Sequence, residues 1–145
     1  METYTIEVDW TDWLTDDADD WDSVEALYMY ATQDEPFYVG EAGGSSVRQR
    51  WNCHLRDGVV VWIRRHTKLV WGAKVGYLVL PPGINYSAQR LHDIQSLIIH
   101  EEHNRRGFCR ANIANTKTRY TYRPGMVIAH TGEFRPLARR HHDVR

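Results

Sequence analysis

The chain has 145 residues, of which 42% are hydrophobic and 12% aromatic, and its formal net charge is -1. These values predict one domain with a sizeable core. There is no run of roughly 18 apolar residues, which argues against a membrane-spanning helix. The two cysteines, Cys53 and Cys109, lack metal-type spacing, and no apolar signal region precedes them. We therefore expect a reduced, cytoplasmic protein.

The charges are divided unevenly along the chain. Residues 1–25 contain ten acidic side chains and no Lys or Arg, whereas residues 26–145 contain nine acidic and eighteen basic side chains. A basic body suits a polyphosphate ligand, because each neutralised phosphate releases condensed counterions. A basic surface can also serve only to solvate the protein. The acidic stretch 16–22 is interpreted either as a shield over the basic surface or as a solvated loop.

The first predicted elements are strands. The segment from Tyr4 to Val8 favours an initial strand, and residues 26–31 and 37–41 favour the two strands of a hairpin. A helix is predicted to begin after Ser46, because Gln49 three residues later completes a capping-box signature. Asp57-Gly58 is expected to end this helix. Its predicted buried stripe consists of Val47, Trp51 and Leu55.

The second half of the chain predicts one more strand and one more helix. Residues 59–73 are ambiguous, since their first part suits a strand and their later part also allows a short helix. Residues 74–80 predict a strand that is closed by Pro81-Pro82-Gly83. From Ser87 to about His103 the apolar positions recur at helical spacing. They are Leu91, Ile94, Ile98 and Ile99.

Two tyrosines and the first helix form a recognisable combination. Tyr28 lies on the first hairpin strand, Tyr38 opens the sequence Tyr38-Val39-Gly40 on the second, and Arg50 and His54 follow at helical i, i+4 spacing. This combination resembles the GIY-YIG nuclease family over roughly residues 26–117, with Ala26-Leu27 in place of Gly-Ile. The resemblance implies an α/β fold with the order β-β-α-β-α. Its small three-stranded central sheet, mixed or antiparallel, would be flanked by helices, with an added N-terminal strand and a C-terminal extension.

The resemblance also implies roles for individual residues. Tyr28 would be the general base, and Tyr38 would hydrogen-bond to it or to the phosphate. Arg50 would hold a non-bridging phosphate oxygen, and His54 would relay protons or hold Tyr28 in place. Asn112 matches the terminal asparagine, which would hydrogen-bond near the catalytic site. A loop-capping role is the alternative for Asn112.

The family's last helix carries a glutamate that binds a divalent metal, Mg²⁺ or Mn²⁺, and this chain has Gln95 at that position. A neutral amide cannot replace a carboxylate for Mg²⁺. Three explanations are open: an inactivated form of an active enzyme, a naturally degenerate binder, or a displaced carboxylate. Glu102, on the same predicted helix face, is the candidate for the displaced carboxylate. Gln95 itself is expected to face inward with the apolar stripe.

The sequence therefore predicts a DNA endonuclease with a restriction-like or mobile-element role, and a homodimer would suit double-strand cleavage. The alternative is a catalytically silent nucleic-acid-binding module. We expect residues 1–25 to form an acidic segment, residues 26–117 the nuclease core and residues 118–145 a basic extension of the same domain. The residues predicted to contact DNA are Arg48, Lys117, Arg119, Arg139 and Arg140.

Overall fold

The structure, a computed structural model, describes residues 3–114 and 125–134. Strands and helices occur in the order β-β-β-α-α-β-α-α-β, with a short 3-10 turn at Asp19–Asp22 between the first two strands. The strands are β1 Tyr4–Trp10, β2 Ala26–Ala31, β3 Pro36–Ala42, β4 Gly72–Val79 and β5 Met126–Gly132. The helices are α1 Val47–Asp57, α2 Val59–His66, α3 Ala88–Arg106 and α4 Arg110–Ala114.

The five strands of the described residues form one mixed sheet in the order β3-β2-β4-β1-β5. Neighbouring strands are antiparallel except β1 and β5, which pair in parallel. The expected α/β class is therefore found, but the sheet has five strands where the sequence predicted a three-stranded centre with one added strand. β5 was not predicted as a strand. β1 is apolar on one face and pairs along both edges, so both additions extend one continuous sheet.

Helices cover both faces of the sheet. Alternate residues of β2 point to opposite faces, so Leu27 and Met29 pack with the apolar side of α3. Tyr28 and Tyr30 belong to the other cluster, which includes residues of α1 and α2. β3 forms one outer edge of the sheet, next to β2. No helix in the described part of the chain is long and apolar enough to cross a bilayer.

The local signals around α1 are confirmed in part. Ser46 is its N-cap and forms the predicted capping box with Gln49, and Gly58 ends it with φ 98°. Of the predicted buried stripe, Val47 is buried, Trp51 is only partly buried and Leu55 is 42% exposed. His54, which was not predicted in the stripe, is buried. The helix is turned so that the His54 face, rather than the Leu55 face, meets the sheet. The ambiguous residues 59–73 begin with a helix, α2, and β4 follows from Gly72.

Candidate active site

Tyr28 is the centre of the site, and a glycine on the neighbouring strand determines how its ring lies. β2 and β3 pair with Tyr28 opposite Gly40. A Cβ atom added to Gly40 would lie 2.2 Å from Cζ of Tyr28 and 2.3 Å from its hydroxyl. The phenol therefore crosses directly over the Gly40 backbone. Glycine is required there because any side chain would occupy the same space.

Two residues of α1 and one at its end complete a hydrogen-bonded series with the Tyr28 hydroxyl. His54 Nε2 lies 2.6 Å from the Tyr28 hydroxyl, and His54 Nδ1 lies 2.9 Å from Oδ2 of Asp57. Arg50 donates from Nε to the Tyr28 oxygen at 3.4 Å. Because a carboxylate only accepts, Nδ1 of His54 carries the proton towards Asp57. Nε2 of the neutral imidazole then accepts a hydrogen bond from the Tyr28 O–H.

Burial sets the protonation states of this series. It raises the pKa of Tyr28 to about 12, although the hydrogen bond and charge of Arg50, and then a hydrogen bond with Tyr38, act to lower it. Burial also lowers the pKa of His54, and Asp57 opposes that change. The resting pair at neutral pH is therefore a neutral phenol donating to a neutral imidazole. Proton transfer within this pair would create a phenolate and an imidazolium, whose charges Arg50 and Asp57 can offset.

Aromatic rings surround the series. The ring of Tyr38 lies 4.7 Å from that of His54 and 6.2 Å from that of Tyr28, centroid to centroid. Tyr30 contacts Tyr28 at 5.5 Å, and its buried hydroxyl has no hydrogen-bond partner among the described residues. Burial raises the pKa of Tyr30 strongly. These rings exclude water from the Tyr28–His54 hydrogen bond and so strengthen it.

The outer edge of β3 is held by two predicted site residues. Asn112, which is fully buried, accepts from the Val39 N–H at 2.8 Å and donates to the Val39 carbonyl at 2.9 Å. Gln95 is buried as expected, and its Nε2 donates to the same carbonyl at 3.1 Å. Asn112 therefore satisfies the backbone of an edge strand instead of capping a loop. The Val39 carbonyl carbon is bonded to the nitrogen of Gly40, so the amide groups and the Tyr28 phenol approach the same stretch of β3.

The residues at position 95 and around it do not fit a divalent metal. Gln95 offers a neutral amide whose nitrogen is directed at a backbone carbonyl. Mg²⁺ and Mn²⁺ prefer charged oxygen ligands. Within residues 3–114 and 125–134, no three His, Cys, Asp or Glu side chains are grouped so that they could hold a metal ion. Glu102, the candidate for the displaced carboxylate, is buried further along α3.

Of the predicted DNA-contacting residues, the structure describes Arg48. Arg48, on α1, lies 3.5 Å from Asp22 and 5.7 Å from the centre of the Trp21 ring. Its guanidinium is thus shared with the acidic segment, and 47% of its side chain is exposed. Lys117, Arg119, Arg139 and Arg140 lie outside the described residues.

Asp57 is a functional candidate that the sequence prediction missed. Its position next to Gly58 indicated only the end of a helix. The available signal was its i, i+3 spacing from His54, which places both side chains on one face of the last helical turn. Asp57 also accepts from the N–H of Val59, the first residue of α2, at 3.1 Å. One carboxylate therefore both orients His54 and satisfies a backbone donor at the start of α2.

No protein-family model, no curated protein and no solved structure matches this chain.

Proposed function

We propose that the chain is a DNA phosphodiester hydrolase of the GIY-YIG type, with a complete proton-transfer centre and a neutral amide at the metal-binding position. The observation that carries the proposal is the hydrogen-bonded series of Arg50, Tyr28, His54 and Asp57. A tyrosine with a purely structural role would need only one hydrogen-bond partner for its buried hydroxyl. This one has a base, an orienting carboxylate behind the base and a cation beside the oxygen, which are the parts that proton abstraction near a phosphate needs.

The arrangement of the surrounding elements supports the proposal. β3, β2 and β4 are consecutive antiparallel neighbours, with α1 packed on one face and α3 on the other. These three strands belong to a five-stranded sheet, and a three-stranded core within it is part of the proposal. From β2 to α3 the elements follow the order β-β-α-α-β-α, and the proposal treats α2 as an insertion after α1.

In the proposed hydrolysis each residue of the series has one role. A water loses its proton to the Tyr28 oxygen while the phenol proton passes to Nε2 of His54, and Asp57 stabilises the imidazolium. The water oxygen bonds to phosphorus, the bond to the leaving oxygen breaks, and that oxygen takes a proton from solvent. The Tyr28 oxygen keeps the proton from the water, and His54 releases its extra proton to solvent, which restores the resting pair. Arg50 balances the negative charge of the phosphate and of the attacking oxygen.

Arg50 also controls access to the phenol. Tyr28 exposes none of its surface, whereas Arg50 is partly exposed and donates to the Tyr28 oxygen. A phosphate that draws the guanidinium outward would uncover the oxygen for a water molecule. Substrate binding and activation of the base would then be one event, which limits proton transfer in the free protein.

One observation favours the second candidate, a catalytically silent nucleic-acid-binding module. Gln95 donates to the Val39 carbonyl, a hydrogen bond that an ionised glutamate cannot make. The amide is therefore well matched to its surroundings as it stands. In that case the residues around Tyr28 would bind a phosphate without cleaving the nucleic acid.

The two candidates are separated by replacing Gln95 with Glu. We expect Mg²⁺- or Mn²⁺-dependent cleavage of plasmid DNA to rise by roughly a hundredfold or more over the chain as given, because a charged ligand is restored at the position that the resemblance assigns to the metal. Gln89→Glu is the matched control, since it adds the same charge in the exposed first turn of α3. Equal, metal-independent rates for all three proteins would reject position 95 as the metal position. Absence of cleavage with retained DNA binding would favour the silent module.

A further inference from the structure

A cavity of about 750 Å³ next to the candidate active site is lined by three tryptophans. Trp21 comes from the 3-10 turn, Trp51 from α1 and Trp71 from the residue before β4. Ring centroids are 6.1 Å apart between Trp21 and Trp51 and 6.0 Å apart between Trp51 and Trp71. All three are partly exposed. They pack against the core on one side and offer aromatic surface to the cavity on the other.

The polar lining indicates what kind of ligand fits. Arg48 and Arg64 supply two cations, Asn52 supplies an amide, and Asp16 is the carboxylate of the lining. Arginine beside tryptophan suits an aromatic ring attached to a phosphate. The amide can pair with the polar edge of a base. The lining carries two guanidinium groups against the one carboxylate of Asp16, and Arg48 also pairs with Asp22 beside it. The two guanidinium groups together with the tryptophans favour a nucleotide over an ammonium group.

The cavity is connected to the catalytic series through one ring. Tyr30 contacts the Tyr28 ring at 5.5 Å and the Trp51 ring at 5.3 Å. Trp51 also directly follows Arg50 on α1. A strand whose phosphate lies at Arg50 can therefore reach the cavity with a base a short distance along the same strand.

We propose that this tryptophan-lined cavity binds an unpaired nucleobase of the strand whose phosphate lies at Arg50. The base stacks on the tryptophans and its neighbouring phosphates contact Arg48 and Arg64. The base is either already single-stranded or extruded from a duplex, since a paired base cannot enter a concave site of this kind. This inference rests on the proposed function for the phosphate position, but the base site can be tested without cleavage.

The test measures binding of three fluorescein-labelled DNAs by anisotropy: a short single strand, a duplex with one unpaired base and a fully paired duplex. Trp21→Ala should weaken binding of the first two by roughly tenfold, the scale of one lost stacking partner, and change duplex binding less than about twofold. Trp21→Phe should lose less, because it keeps a smaller aromatic ring. Trp62→Ala is the matched control, because Trp62 stacks on His66 outside the lining.

Other outcomes would overturn the base site. These are equal losses on all three DNAs, no loss with Trp21→Ala, or the same selective loss with Trp62→Ala. If Trp21→Ala weakens binding of the single strand alone, the site is restricted to single-stranded DNA, and the proposal that it takes a base extruded from a duplex fails. If Trp21→Ala selectively weakens binding while no Gln95 variant cleaves, the base site stands and the hydrolase proposal fails. If Gln95→Glu cleaves and Trp21→Ala leaves its KM unchanged, the hydrolase proposal stands and the base site fails.

Discussion

Replacing Gly40 with alanine tests the placement of Tyr28 without depending on any activity. The three atoms nearest to the added Cβ all belong to the Tyr28 side chain, at 2.2 to 2.7 Å. Neither residue can move easily, because Gly40 lies in a strand that pairs with β2 and the Tyr28 hydroxyl is hydrogen-bonded to His54 and Arg50. We expect a loss of about 3 kcal/mol in the free energy of unfolding, the upper part of the usual range for overpacking.

Urea denaturation followed by fluorescence measures this loss. With a slope of about 2 kcal/mol per M, the midpoint should fall by roughly 1–2 M with little change in slope. Gly44→Ala is the control, because a Cβ there meets nothing within 4 Å. It should leave stability unchanged or raise it slightly. A Gly40→Ala protein as stable as the Gly44→Ala protein would show that the phenol does not cross Gly40, and it would contradict the geometry of the hydrogen-bonded series.

Three further predictions concern charge and pH. His130 accepts from Trp10 at 3.0 Å, and burial lowers its pKa to about 4. The unfolded chain therefore binds the extra proton between pH 6.5 and 4, and stability should fall by up to about 3 kcal/mol as the pH decreases through that window. His130→Gln, which keeps an acceptor, should show a shallower pH dependence in urea titrations, and an identical slope would contradict this assignment. In the Gln95→Glu background, Arg50→Ala should reduce single-turnover cleavage by roughly a hundredfold while DNA affinity changes only a few-fold. Replacing the exposed Arg56 with Ala is the control. A large affinity loss at an unchanged rate would make Arg50 a binding residue. Neutralising part of the acidic segment should strengthen non-specific DNA binding, most at low salt, and weaker or salt-independent binding would argue against shielding. The residues to change to Asn are Asp16, Asp17 and Asp19, while Asp20 stays because it accepts from Tyr77.

The parts of the fold that the sequence predicted are those with short-range signals. The Ser46–Gln49 capping box determines where α1 begins, and the i, i+4 spacing of Arg50 and His54 brings both to the Tyr28 oxygen. The β-branched run at residues 59–61 favours a strand locally, but Val59 and Val60 pack in the core as part of α2. Here packing overrides propensity.

The long-range parts could not be predicted in this way. The inward position of Gln95 followed from helical spacing, but its bond to Val39 depends on how α3 lies against the edge of the sheet. Asn112 reaches the same residue from α4, 73 positions along the chain. The tryptophan-lined cavity combines three separate segments, and no spacing in the sequence links Trp21 to Trp51 and Trp71.

The parallel pairing of β1 with β5 has a consequence for folding. Tyr4 lies opposite Met126 and Trp10 opposite Gly132, so the earliest strand finds its outer neighbour only among the late residues. Contacts this distant in sequence are slow to form, because the entropy cost of closing a long loop comes before any hydrogen bond forms to offset it. During synthesis, a chain that still lacks residues 126–132 presents β1 as an open edge, the feature through which incomplete sheets associate. Pairing with residues 126–132 closes the second edge of β1 and makes β5 the outer strand of the described sheet.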